Sequence, residues 1–172
     1  YLYDNATASI HLNNNTFGSG SDGIRFSGFS NNTNEAKNLN IDVLNNTIRG
    51  RTNGFNYTGG SYIYLYGKGA KVRFENNQIN RAGRGLYIRS DDNISQATIN
   101  NNSVDSASYG GFYLDKVSGT IESNTLSYCS DDQHAIEIKS DFNSPSINTL
   151  QYNTITGSGY QLGGLATNSA AV

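Results

Sequence analysis

The chain contains no methionine and no tryptophan, and only one proline and one cysteine. The single Cys129 excludes an intramolecular disulfide framework and a cysteine-rich zinc site. Charged residues make up only 15% and net charge is −2, which excludes a charged, disordered segment. No apolar run approaches the ~18 residues that a membrane span needs. Hydrophobic residues make up 35%, fewer than the ~45–50% of an ordinary globular domain.

Asparagine fills the gap. It occupies 25 of 172 positions, and glycine occupies another 19. With 12 Tyr and 7 Phe, this composition suits many short strands joined by Asn, Gly and Ser turns. The length fits one domain across residues 1–172. The chain begins at Tyr1 in a strand-like pattern, without Met or a signal-peptide pattern, and reads as a segment of a longer polypeptide.

The asparagines fall in a repeat. An apolar residue, two polar residues, Asn, one residue and an apolar residue recur six times. The copies are Leu12-Asn15-Phe17, Val43-Asn46-Ile48, Phe74-Asn77-Ile79, Ile99-Asn102-Val104, Ile121-Asn124-Leu126 and Leu150-Asn153-Ile155. The Asn-to-Asn spacings are 31, 31, 25, 22 and 29. Each of the first five copies is followed by a second alternating segment: Ile24-Arg25-Phe26, Ile63-Tyr64-Leu65, Leu86-Tyr87-Ile88, Phe112-Tyr113-Leu114 and Ile136-Glu137-Ile138. Leu162 marks a weaker sixth.

Alternation over three to five residues specifies strand, and no stretch carries a 3.6-residue apolar period. A repeat this short cannot bury its own apolar side and must stack on its neighbours. Each copy then forms one coil of a parallel β-solenoid with strands ~4.8 Å apart. The recurrent Asn is expected to supply the left-handed backbone at one turn and to hydrogen-bond from coil to coil. Seven Asn-x-Ser/Thr matches, at Asn5, Asn14, Asn31, Asn45, Asn56, Asn93 and Asn101, arise by chance in so biased a sequence. Asn14, Asn45 and Asn101 fall within the turn, where little room for a glycan is expected.

The strings NNNTF, NNTI, NNQI, NNSV, SNTL and YNTI, each followed by a GI-x-F-like segment, resemble right-handed parallel β-helix repeats. Pectate lyases, polygalacturonases, alginate-modifying enzymes, phage tailspikes and bacterial surface proteins of the pectin-lyase-like superfamily share such repeats. The resemblance runs from about residue 8 to about residue 165. It implies an all-β fold, a right-handed single-stranded parallel β-helix of about six coils. With the composition, it also implies an extracellular or cell-surface location. Handedness comes from the resemblance; spacing alone does not fix it.

Residues between two core positions of a strand face solvent. Stacking the second segments therefore builds an outward column of Arg25, Tyr64, Tyr87, Tyr113 and Glu137. A second column follows, of Ser27, Tyr66, Arg89, Asp115 and Lys139, with Tyr62 on the same side of its strand. Aromatics in a row offer apolar faces with polar tips, on which sugar rings pack. Tyr64, Tyr66, Tyr87, Arg89, Tyr113 and Lys139 are thus the candidate ligand-binding residues. A structural tyrosine ladder and a protein interface are the competing readings.

Charge is uneven. From Arg49 to Arg89 eight basic residues face one acid, for a charge of +7; from Ser90 onward nine acids face two lysines, for −7. A basic flank beside aromatics suits an anionic polysaccharide. No nucleic-acid motif accompanies it. Loops 27–37, 49–61 and 127–134 stand out as long, and the last two occupy the same position in the coil.

Asp131, Asp132, Glu137 and Asp115 are the catalytic candidates, with His134 and Lys139 nearby. A glycosidase needs two carboxylates ~5–9.5 Å apart. The segment from Ser130 to Ser140 faintly resembles the paired-Asp segment of polygalacturonases. Two extra residues separate the Asp pair from its strand, however, and that family's third Asp, Gly-His-Gly and Arg-Ile-Lys motifs are absent. The Arg-x-Pro-x-x-Arg of pectate lyases and the Asp-Pro-His of alginate epimerases are absent too. These absences weigh against catalysis within this segment. No cofactor is expected; Ca²⁺ at Asp131-Asp132 or Asp91-Asp92 fits the oxygen chemistry without a complete loop signature. His11 is read as an isolated outward residue and Cys129 as a packed thiol.

Three functions remain: a noncatalytic secreted or surface module that recognises or presents to carbohydrate, part of a polysaccharide lyase or glycoside hydrolase, and a spacer or stalk. The expected partner is a polysaccharide or glycan. Assembly as a homotrimer or within a larger parent protein is left open.

Overall fold

The computed structural model describes residues 7–18, 23–27, 38–53, 56–65, 70–90, 95–129, 134–140, 147–157 and 160–166. Among these residues the regular structure is all strand, wound in six coils. Coil one contains β1 (Thr7–Asn13), β2 (Thr16–Gly18) and β3 (Ile24–Ser27). Coil two contains β4 (Asn38–Leu44), β5 (Thr47–Arg49), a hairpin of β6 (Arg51–Asn53) and β7 (Asn56–Thr58), and β8 (Gly60–Leu65). Coil three contains β9 (Lys71–Glu75), β10 (Gln78–Ala82) and β11 (Arg84–Ser90). Coil four contains β12 (Ser95–Asn100), β13 (Ser103–Ala107) and β14 (Phe112–Asp115). Coil five contains β15 (Val117–Glu122), β16 (Thr125–Cys129) and β17 (His134–Ser140). Coil six contains β18 (Ile147–Gln151), β19 (Thr154–Thr156) and β20 (Tyr160–Ala166).

The first, second and third strands of the coils stack into three six-stranded parallel sheets, here A, B and C. Six coils at ~4.8 Å make a column roughly 29 Å long. The repeat dictates the core. In sheet A, Leu12, Val43, Phe74, Ile99, Ile121 and Leu150 are in register. In sheet B the inward column is Phe17, Ile48, Ile79, Val104, Leu126 and Ile155. From Val43 to Ile121 and from Ile48 to Leu126 these side chains are fully buried.

Two neighbouring residues share the turn between sheets A and B. The left-handed residue is Asn14, Asn45, Asn76, Asn101, Ser123 or Tyr152, with φ between 54° and 60°. The next residue is the ladder asparagine. Asn102 shows the pattern. Its Nδ2 donates to Asn124 Oδ1 at 2.9 Å and to the Phe74 carbonyl at 2.7 Å. Its Oδ1 accepts from the Asn77 backbone N–H at 2.9 Å and from Asn77 Nδ2 at 3.0 Å. The ladder runs through Asn15, Asn46, Asn77, Asn102, Asn124 and Asn153. The expectation that one Asn serves both purposes is thus corrected: bend and ladder need opposite side-chain directions, outward and inward. The left-handed Asn14, Asn45 and Asn101 are exposed, so the expected lack of room at those positions is also corrected.

Candidate functional site

The outer face of sheet C carries Tyr87, Arg89, Tyr113, Asp115, Glu137 and Lys139, and the register corrects one alignment. Tyr62, not Tyr64, pairs with Tyr87; Tyr87 pairs with Tyr113, and Tyr113 with Glu137. Tyr64 pairs with Arg89, which continues through Asp115 to Lys139. The two columns are therefore Arg25-Tyr62-Tyr87-Tyr113-Glu137 and Ser27-Tyr64-Arg89-Asp115-Lys139. The cause is Ser61, which takes the first core position of β8 beside Ile24 and Leu86. A two-residue slip preserves which face each side chain occupies, so alternation alone cannot detect it. Tyr66 lies outside the described residues, as do Asp91, Asp92, Asp131 and Asp132.

Tyr87 and Tyr113 stack with centroids 4.7 Å apart and planes 1° from parallel. That distance matches the ~4.8 Å rise between coils, so the ring faces point along the column axis and meet each other. Both side chains are half-buried. A sugar cannot lie flat between these two rings, which corrects the expectation that the column offers a row of open faces.

Cations surround the stack. Arg84 Cζ lies 4.9 Å from the Tyr113 centroid and 5.7 Å from that of Tyr87. Lys139 Nζ lies 4.9 Å from the Tyr113 centroid and 3.1 Å from Glu137 Oε1. A hydrogen bond with Tyr113, and then one with Glu137, hold the Lys139 ammonium above the usual lysine range against the opposing effect of burial. Arg89 Nε stands 3.7 Å from Asp115 Oδ2. Among the described residues Arg84 has no carboxylate partner. Sequence reading counted Arg84 as one of eight basic residues and did not bring it to the rings. The signal was its place between Gly83 and Gly85, at the entry to β11.

The catalytic candidates are split. Asp115 and Glu137 are diagonal neighbours on β14 and β17, as the spacing predicts. Each has a cationic neighbour, Arg89 and Lys139 respectively. Among the described residues no three His, Cys, Asp or Glu side chains converge as a metal site would require. His11 is not isolated: its Nδ1 lies 2.9 Å from Asp42 Oδ2 on the outer face of sheet A, and Arg73 approaches the same carboxylate at 3.7 Å. Cys129 is buried, with Sγ 3.6 Å from the Ser127 carbonyl, in register with Ala107 and Ala82.

The β6–β7 hairpin joins sheet B to sheet C, and residues 130–133 lie outside the described residues. No helix is long and apolar enough to cross a membrane among the described residues.

No curated protein and no solved structure matches the chain. A family model described as a right-handed β-helix region matches residues 1–171. Three parallel sheets, with one strand of each per coil, agree with that match. The chain belongs to the right-handed parallel β-helix family.

Proposed function

We propose that the protein is a noncatalytic, extracellular or cell-surface β-helix module that binds an acidic glycan across the outer face of sheet C. The observation that carries this reading is Arg84, set beside the Tyr87–Tyr113 stack with no carboxylate partner among the described residues. Its guanidinium can offer a fork of donors to a sugar carboxylate or sulfate. The tyrosine edges beside it supply hydroxyls. Neighbouring charges are already paired, as Arg89 with Asp115 and Lys139 with Glu137, which leaves Arg84 as the cation with most to gain from an anion.

A spacer or stalk is the second reading. It is favoured by the closed stack, whose apposed ring faces serve coil-to-coil cohesion.

Affinity electrophoresis separates the two. Alginate, polygalacturonate, hyaluronate and heparin are cast into native gels. The binding module is retarded by at least one of them, less so at higher salt. Arg84→Ala and the Tyr87→Ala/Tyr113→Ala pair migrate freely. Equal mobility of all proteins in every gel supports the stalk.

A further inference from the structure

The outer face of sheet B in coils five and six has a different character. Two large aromatic side chains stand exposed at its borders, Tyr152 at 79% and Tyr128 at 67%. Both occupy left-handed corners, with φ of 56° and 53°. At the turn from sheet A, the positions equivalent to Tyr152 hold Asn14, Asn45, Asn76, Asn101 and Ser123, all small and polar. On the other border, Tyr128 follows Ser127 as Arg81 follows Asn80, Ser106 follows Asp105 and Gly157 follows Thr156. A left-handed backbone favours Asn or Gly over Tyr. Folding is therefore not what calls for tyrosine at either corner.

Tyr128 is also positioned. A Cβ at Gly157 would lie 2.7 Å from both Cδ1 and Cε1 of its ring. The absence of a side chain at 157 lets the ring lean over the next coil, toward the strand that begins beyond Tyr152. Between the two tyrosines lie Thr125 paired with Thr154 and Ser127 paired with Thr156. Thr125, Thr154 and Thr156 are exposed, while the Ser127 hydroxyl donates to Asp105 at 3.1 Å. Neither β16 nor β19 contains a charged residue. The five steps from Tyr152 to Gly157 span at most ~18 Å.

We propose that this face is a second binding site, for a neutral polysaccharide. Exposed rings at two borders suit the C–H faces of sugar rings, and the threonine floor suits their hydroxyls. The lack of charge on both strands selects a neutral chain over an acidic one. The site is on a different sheet from Arg84 and takes ligands of different charge, so each reading stands or falls separately.

The test uses the whole chain in native gels containing dextran, glucomannan, xyloglucan or a soluble β-glucan. Wild type is retarded by at least one. Tyr128→Asn/Tyr152→Asn keeps a residue suited to each corner, so its thermal midpoint is not lowered, yet its affinity falls about tenfold or more. Retardation by no neutral glycan overturns the proposal, as does undiminished retardation of the double Asn variant. Loss of neutral-glycan retardation only in Tyr87→Ala/Tyr113→Ala also overturns it, by assigning that ligand to sheet C. The acidic-glycan gels with Arg84→Ala report on the sheet C site independently.

Discussion

Tyr87 and Tyr113 lie face to face on adjacent coils, 4.7 Å between centroids and 1° from parallel. The in-register pairing of β11 with β14 sets the two side chains on the same outward column, one coil apart. The rings therefore act first on each other, and any ligand meets their edges. A double-mutant cycle with Tyr87→Ala and Tyr113→Ala is expected to give a coupling of about 0.5–1.5 kcal/mol in favour of the pair. Urea unfolding of the four proteins measures it. Additive losses would mean that the two rings do not interact in solution.

The asparagine ladder makes a steeper prediction. Asn102 is buried and satisfies Asn77, Asn124 and the Phe74 carbonyl at once. Asn102→Ala leaves several buried polar groups without partners, each worth about 1–3 kcal/mol. Loss of about 3 kcal/mol or more is expected, against a much smaller loss for Asn15→Ala, whose side chain is exposed. Chemical denaturation of both variants checks the ranking.

Ser61 offers the opposite sign. It is buried between Ile24 and Leu86 in the core column of sheet C, and its Oγ has no hydrogen-bond partner. Ser61→Ala removes a buried hydroxyl without removing a bond, and a gain of about 1 kcal/mol is expected. A lower thermal midpoint for Ser61→Ala would contradict this account of the position.

Lys139 gives a pH dependence. Tyr113 and Glu137 raise its folded-state value above the ordinary lysine value of 10.5. A raised cation stabilises fully below its unfolded value, and that contribution disappears as pH rises through the folded value. Urea midpoints of wild type and Lys139→Met should therefore differ by a constant amount from neutral pH to about pH 9 and converge above the ordinary lysine range. A gap that widens with rising pH would reverse the assignment.

The repeat was legible because the ladder Asn and its flanking apolar residues obey one rule in all six coils. Leu12-Asn15-Phe17 through Leu150-Asn153-Ile155 align in the structure as they do in the sequence. The outward columns were legible in sheet C from Leu86 to Lys139, where the apolar Leu86, Phe112 and Ile136 align as the first core positions of the paired segments. They were misaligned in β8, because Ser61 breaks the apolar signal and a slip of two leaves every residue on its own face. The orientation of the tyrosine rings was not legible, since it depends on the separation of coils rather than on residue type. Tyr152 was missed, and Tyr128, which lies in β16, was read only as part of the 127–134 loop, for a related reason. Their significance lies in corner φ values that only the fold assigns.

The most direct measurement is a titration of the whole chain with an alginate oligosaccharide, followed by intrinsic tyrosine fluorescence. The absence of tryptophan leaves 12 tyrosines as the principal emitters. The account predicts a saturable change in wild type, weakened by salt and abolished in Arg84→Ala with the circular dichroism spectrum unchanged. A saturable change of the same size and midpoint in Arg84→Ala would contradict it, because the ligand would then bind without the residue on which the acidic-glycan site rests.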